Sequence, residues 1–393
     1  MSHLIHSSVS HLLTSVYPFL YPLTPVYPFL YPLTSVYPFL YPLTPVYPFL
    51  YPLTLVFGIS VVLALLLTPL ASRLGHRLGI VDRPGGRRAH RGQVSRLGGV
   101  ALFVAFYAAI GVAIWRGILT AGYNADDFTR LNGLLVGGLG AFLLGLLDDR
   151  FEMSPKVQLA FQFGLSLLAF FTLIILERFT LPFFGYVELH AYPWGRWLSV
   201  PLTIFWMMGM MNTVNWLDGL DGLAGGVGAI LCLVLAIHMH RVGQPSVALL
   251  PLALLGVLVG FLPYNFAARI FLGSAGAFFL GYALGCLGLI AGGRVATVLL
   301  VMGLPIVDVA WQIFDRLRHR HSPAQADRGH LHFRLLSLGL SERVIVLLYW
   351  GFCALFGVLA LVISSRLYKL LALAVIGVIV VVVLAWLSRR GET

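Results

Sequence analysis

LLVGGLGAFLLGLLDDRFEMSP, residues 134–155, closes an uncharged apolar run with two adjacent aspartates, Asp148 and Asp149. From Leu131 to Leu147 no residue is charged, and a run of that kind approaches the roughly 20 residues that cross ~30 Å of hydrocarbon. Similar runs recur on both sides of it, from Leu53 to the C-terminus. We read about eleven, at 53–71, 97–116, 131–147, 157–176, 198–217, 222–240, 246–263, 271–291, 295–313, 344–364 and 368–388. Composition agrees, with 59% hydrophobic and 10% charged residues and a mean hydropathy of +0.91, outside the range of ordinary soluble domains. The expected fold is an all-α, polytopic integral membrane helical bundle. Cys232, Cys286 and Cys353 lie inside these runs without paired spacing, so neither a disulfide framework nor a zinc site is indicated.

A net charge of +11 would suggest nucleic acid in a soluble protein; here its distribution orients the chain instead. Of the 26 Lys and Arg residues, 18 fall in loops that follow odd-numbered spans or in the C-terminal tail. Basic loops stay in the cytoplasm, so these loops and the C-terminus are expected inside and the N-terminus outside. Residues 1–54 form a separate, Tyr/Pro-rich low-complexity leader in which a ten-residue unit repeats four times from Ser15 to Thr54. Proline at that density removes donors and breaks helices, so the leader is not expected to span the membrane despite its apolarity. The membrane domain is then 55–390.

Every carboxylate-bearing motif of note lies on the inner side. The first loop, IVDRPGGRRAHRGQVSRLGG (80–99), is rich in Gly and Arg and carries Asp82, Arg87 and His90; it suits anionic headgroups or topology as well as substrate. Asp148 and Asp149 repel one another near lipid unless a cation joins them, with a solvated helix end as the plain alternative. In NTVNWLDGLDGLAGG (212–226), Asn212, Asn215 and Asp218 are three apart and form one polar ribbon on a helix. Gly219 and Gly222 then permit a sharp turn that gathers Asp218 and Asp221, an oxygen set suited to a hard divalent ion and to nucleotide hydroxyls. Asn265, Arg269 and Phe271 precede a Gly273-Ser274-Ala275-Gly276 turn; Phe271 is either a base-stacking ring or an interfacial anchor. Asp308, Gln312 and Asp315 make a polar stripe that either carries function or pairs with Arg316 and Arg318. It leads into a basic loop holding Asp327, Arg328, His330 and His332, whose donors suit pyrophosphate.

Taken in order, DxPxxRRxH with a following GG, LLDDRF, NxxNxxDGLDGLAGG, NF with IFLG, and ADRxHLH with RLLxxGLS resemble the polyprenyl-phosphate N-acetylhexosamine-1-phosphate transferases of glycosyl transferase family 4. The likeness covers about residues 55–390. It implies transfer of a sugar 1-phosphate from a UDP-sugar to undecaprenyl or another polyprenyl phosphate, with release of UMP, as the first membrane step of an envelope glycan. Magnesium, or manganese in its place, is implied at a cytoplasmic cleft of the plasma membrane. By the same likeness Asp148 positions or deprotonates the acceptor phosphate and Asp149 lies near the metal. Asn215 and Asp218 line the metal and diphosphate, while Gly219, Leu220 and Asp221 with Phe271 hold uridine. His330, His332 and Arg328 bind diphosphate or acceptor phosphate, and Arg87, His90 and Asn265 are further substrate-binding candidates. The implied partners are the two substrates and the bilayer, with no nucleic acid; a homodimer is left open.

Two departures stand out. Where the family pattern reads FLGDxGS, this chain reads FLGSAGA, so Ser274 occupies the position of a metal-binding aspartate, and Phe333 replaces a third histidine. Serine is a poor ligand for magnesium compared with a carboxylate. The leading expectation is an active transferase whose remaining carboxylates hold the metal; the alternative is a member that binds lipid phosphate or nucleotide-sugar without turnover. A transporter would place its polar groups at the midplane, not at one face.

Overall fold

The computed structural model describes residues 47–82, 93–181, 185–290, 292, 295–320, 329–363 and 365–390. The chain divides into two units, Met1–Pro52 and Leu53–Thr393, and nearly all described residues belong to the second. Among them are thirteen helices: α1 (Tyr47–Leu78), α2 (Gly98–Trp115), α3 (Ala125–Phe151), α4 (Pro155–Phe171), α5 (Gly195–Leu217), α6 (Leu223–Arg241), α7 (Pro245–Asn265), α8 (Gly273–Ile290), α9 (Val295–Val301), α10 (Gly303–Arg318), α11 (Leu331–Ser337), α12 (Glu342–Val362) and α13 (Arg366–Arg390). Two short antiparallel hairpins complete it, β1 (Val81–Asp82) with β2 (Val94–Ser95) and β3 (Arg178–Leu181) with β4 (Gly185–Glu188). This is an all-α, multi-pass membrane protein.

Each expected span meets a helix, but the spans are not equivalent. Among the described residues seven helices are long and apolar enough to cross a membrane: α1, α2, α3, α6, α7, α8 and α12. The expected ninth span is broken between α9 and α10, which meet at 82°. The fourth ends at Phe171 instead of residue 176, because Leu173 takes a left-handed φ of 61° and the chain leaves for β3. In the sequence, α1 begins at Tyr47, inside the last proline-rich repeat, where no helix was expected. Pro48 falls in its first turn, where an absent N–H has no intrahelical acceptor to lose.

The fold is centred on α8, whose apolar window is 83% buried against 22% for α1. Lipid tails are as apolar as leucine, so helices in a bilayer associate through close packing and satisfied polar groups. Small residues provide the first: a Cβ on Gly99 would strike the α8 backbone at Gly276, and one on Gly145 would strike Ser274 and Ala275. Buried polar atoms provide the second. Tyr282 Oη donates to the Gly133 carbonyl at 3.0 Å, and Trp206 Nε1 donates to the Gly285 carbonyl at 3.0 Å, tying α8 to α3 and α5. The consequence for function is that the first turn of α8 is held against α2 and the end of α3.

Candidate active site

At the end of α3, Asp148 and Asp149 part company. Asp148 Oδ1 accepts from the Met153 N–H at 3.0 Å and from Gln158 Nε2 at 2.8 Å, closing the turn into α4. Asp149 instead accepts from the Ser274 N–H on Oδ1 and the Ala275 N–H on Oδ2, both at 2.9 Å. Those amides belong to the first turn of α8, which has no intrahelical acceptor for them and carries the positive end of the helix dipole. Gly273 permits the approach: its φ is +73°, and a Cβ there would run into the Arg96 carbonyl and the Asp149 carboxylate. Arg96 Nη2 in turn donates to Asp82 Oδ1 at 2.6 Å. Gly79, Ile80, Val81, Arg96, Asp149, Arg150, Phe151 and Glu152 line a cleft of about 300 Å³ at this point.

The bend between α5 and α6 holds Asp218, Gly219, Leu220 and Asp221 and turns at Gly222, with φ +84°. Asn215 and Asp218 lie half-buried at the end of α5, and Leu220 is buried. Asn212 belongs to packing: its Nδ2 donates to Gln162 Oε1 on α4 at 2.6 Å. Asn265 is committed at both ends of its amide, with Oδ1 accepting from the Gly222 N–H and Nδ2 donating to the Ile270 carbonyl, each at 2.9 Å. Its place is therefore a tie between the bend and the loop before α8. Phe271 continues that tie, its N–H donating to the Ser95 carbonyl at 2.9 Å and its carbonyl accepting from the Gly98 N–H at 3.0 Å. Its ring is only 3% exposed, buried among helices instead of laid open at a surface. A continuous bonded path thus runs from the bend at Gly222 to the turn that Asp149 caps.

The third component is the short helix α11 and the residues before it. His330 and His332 are both buried, with stacked rings 5.6 Å apart at 8°. A Cβ on Gly219 would collide with His332 Nε2, so the imidazole lies directly on the bend. Trp216 lies 5.7 Å from the His330 ring, and Arg316 sits over Trp216 at 5.5 Å. Both ring nitrogens of His332 are buried without a hydrogen-bond partner. Burial pushes its imidazole down to about 4, with Asp308 acting against the shift and His330 adding to it, so the ring is neutral at neutral pH. Arg87, His90 and Arg328 lie outside the described residues.

Among the described residues no three acidic, imidazole or thiol groups converge as a cation cage. Asn215, Asp218 and Asp221 offer oxygens at the bend, and Asp149 offers its own at the first turn of α8, where Ser274 stands beside it without a charge. Such a set fits a magnesium ion only in the way that ion is commonly held, by one or two carboxylates with substrate phosphates and water.

Sequence reading overlooked Arg96, Gln158 and Trp216 as participants, and assigned the α10 stripe differently. Asp308, Gln312 and Arg316 are the buried set, 4, 1 and 5% exposed, at i, i+4 and i+8. Asp315 lies outside it and approaches Arg334 at 3.9 Å. Asp308 pairs with His330 rather than with an arginine of its own helix. The signal available was the aspartate inside an apolar segment; its partner, 22 residues on, was not legible.

Apolar helices that end in carboxylates at α3 and at the bend after α5, with two buried imidazoles packed on that bend, are the features to set beside known proteins. Residues 131–292 match the model of glycosyl transferase family 4. A Bacillus subtilis protein described as a probable undecaprenyl-phosphate N-acetylglucosaminyl 1-phosphate transferase is 31% identical over 79% of this chain and 84% of its own length. The decaprenyl-phosphate N-acetylglucosaminephosphotransferase of Mycobacterium tuberculosis is 28% identical over 85% of this chain and 88% of its own. The undecaprenyl-phosphate alpha-N-acetylglucosaminyl 1-phosphate transferase of Haemophilus influenzae is 29% identical over 76% and 84%. The chain belongs to glycosyl transferase family 4.

Proposed function

We propose that this protein transfers an N-acetylhexosamine 1-phosphate from a UDP-sugar to a polyprenyl phosphate at the inner face of the plasma membrane and releases UMP. The observation that carries the reading is the junction of two segments remote in sequence: His332 rests on Gly219 while Trp216 meets His330, which sets two imidazoles against a carboxylate-bearing bend. The excess of basic residues in the loops after odd spans supports the inward assignment.

In this reaction an oxygen of the acceptor phosphate forms a bond to the sugar-bearing phosphorus as the bond from that phosphorus to the bridging oxygen breaks. UMP leaves with the bridging oxygen. Phosphoryl transfer asks for alignment and charge neutralisation more than for covalent chemistry. Asp148 positions the acceptor phosphate and takes its proton where one is present; His330 and His332 with Arg328 hold phosphate oxygens. Gly219, Leu220 and Asp221 receive uridine, and Arg87 and His90 are further candidates for the substrate; Phe271 and Asn265 serve instead as ties between helices. A magnesium or manganese ion bound by Asp149, Asn215 and Asp218 would neutralise the diphosphate.

Ser274 supports a second reading, in which the chain binds its ligands without turnover, since Asp149 is already committed to two amides. The full chain, purified and supplied with Mg²⁺, polyprenyl phosphate and a panel of UDP-sugars, separates the two. UMP release with a UDP-N-acetylhexosamine is the expected result; release only after Ser274→Asp would establish the binder instead.

A further inference from the structure

Asp308 is buried on α10, and each of its oxygens is used. Oδ2 lies 3.1 Å from His330 Nδ1, and Oδ1 accepts from the Leu331 N–H at 2.9 Å. The two side chains are 7% and 5% exposed for His330 and Asp308 respectively. A carboxylate is acceptor-only, so the bond to Nδ1 requires that nitrogen to carry a proton. In the neutral ring the lone pair then sits on Nε2.

The backbone that carries His330 is pinned as firmly as the ring. The Leu331 N–H is an orphan donor at the start of α11, and Asp308 caps it from another helix, since His330 at the N-cap makes no side-chain cap bond. One turn along α10, Gln312 Nε2 donates to the Gly329 carbonyl. Arg334 Nε donates to the same carbonyl at 2.6 Å. Around the ring stand His332, Trp216 and, beyond Trp216, Arg316. Within this shell only Asp308 selects between the two ring nitrogens of His330.

We propose that Asp308 is a positioning residue, which fixes His330 with Nδ1 protonated and Nε2 presented to a substrate phosphate. This rests on the reading that His330 meets phosphate in the transfer. On protonation at Nε2 the imidazolium becomes a donor to phosphate, and its charge is balanced by the carboxylate behind it. The logic is that of a carboxylate orienting a catalytic imidazole, where exchange of the acid for an amide costs about 10⁴ in kcat in a Ser-His-Asp triad.

Asp308→Asn is the incisive variant. Its carbonyl still accepts from Leu331, but its NH₂ faces Nδ1 as a donor and moves the proton to Nε2. We expect kcat for UMP release, expressed per mole of folded protein counted by its cooperative unfolding signal, to fall about 100-fold or more with KM for the UDP-sugar within about 3-fold. In a His330→Ala background the same change at Asp308 should have almost no further effect, because residues that act as a unit are not additive. Histidine ¹⁵N spectra of the wild-type chain, with His330 assigned by its absence from His330→Gln, test the tautomer without activity and without a foldable Asp308 variant. A protonated Nδ1 with a bare Nε2 is expected. The opposite tautomer, or an Asp308→Asn variant with wild-type kcat, overturns the proposal. A wild-type chain that shows the expected tautomer and releases no UMP would leave Asp308 in place and overturn the transferase reading instead.

Discussion

Asp149, at the first turn of α8, and His332, against the bend at Gly219, have been treated in opposite ways by the fold. Both oxygens of Asp149 are taken by amides of α8, whereas neither nitrogen of His332 has a partner. The first arrangement is complete without a ligand and holds helices together. The second leaves buried polar atoms unsatisfied, which costs stability unless something binds. The carboxylate already serves architecture through both oxygens and has only its remaining lone pairs to offer an ion, whereas the imidazole is kept for chemistry.

The largest test of that contrast is Asp149→Ala, which strips two partly buried amides of their acceptors at up to about 1–3 kcal/mol each. A large drop in thermal unfolding temperature is expected, with Asp149→Asn, which keeps one acceptor, falling about halfway between. Wild-type stability in both variants would mean that the carboxylate is not structural. The pH response of His332 comes next. Its folded value of about 4 lies below the ordinary value near 6.5, so the unfolded chain binds the extra proton between them. The contribution is whole above about pH 6.5 and is lost as pH falls toward 4, on the order of 3 kcal/mol. Unfolding followed over that range should show the loss in wild type and less of it in His332→Leu. At neutral pH the same variant should unfold close to wild type, yet release UMP about 10- to 100-fold more slowly, the worth of a hydrogen bond to a charged group. The smallest effect is expected from Ser274→Asp. A second carboxylate beside Asp149 should lower stability by about 1 kcal/mol without metal and gain more than wild type from added Mg²⁺, through preferential binding to the folded state. Equal Mg²⁺ responses would remove residue 274 from consideration as a ligand position.

The helical membrane fold was legible because apolar length alone specifies a span, and each expected span meets a helix, although among the described residues only seven of these helices are long and apolar enough to cross. What composition concealed were the interruptions. The bend at Met302 and the early end of α4 at Phe171 depend on backbone angles and contacts that no apolar count records. In the site, Asp148, Asp149 and the 215–221 bend were visible as carboxylates at helix ends. The commitment of Asn265 to Gly222 and Ile270, and of Asp308 to His330, was not, because each joins residues whose proximity arises only once several helices have packed.

Gly99 and Gly145 bring α2 and α3 into backbone contact with α8, which is itself screened from lipid over most of its length. A membrane that thickens or thins therefore acts first on the outer helices, such as α1, whose side chains meet the acyl chains. Hydrophobic mismatch would be absorbed there by tilt, while the inner trio keeps its alignment like a clamped joint. Catalytic geometry in this protein should accordingly tolerate changes in lipid chain length that visibly alter the inclination of its periphery.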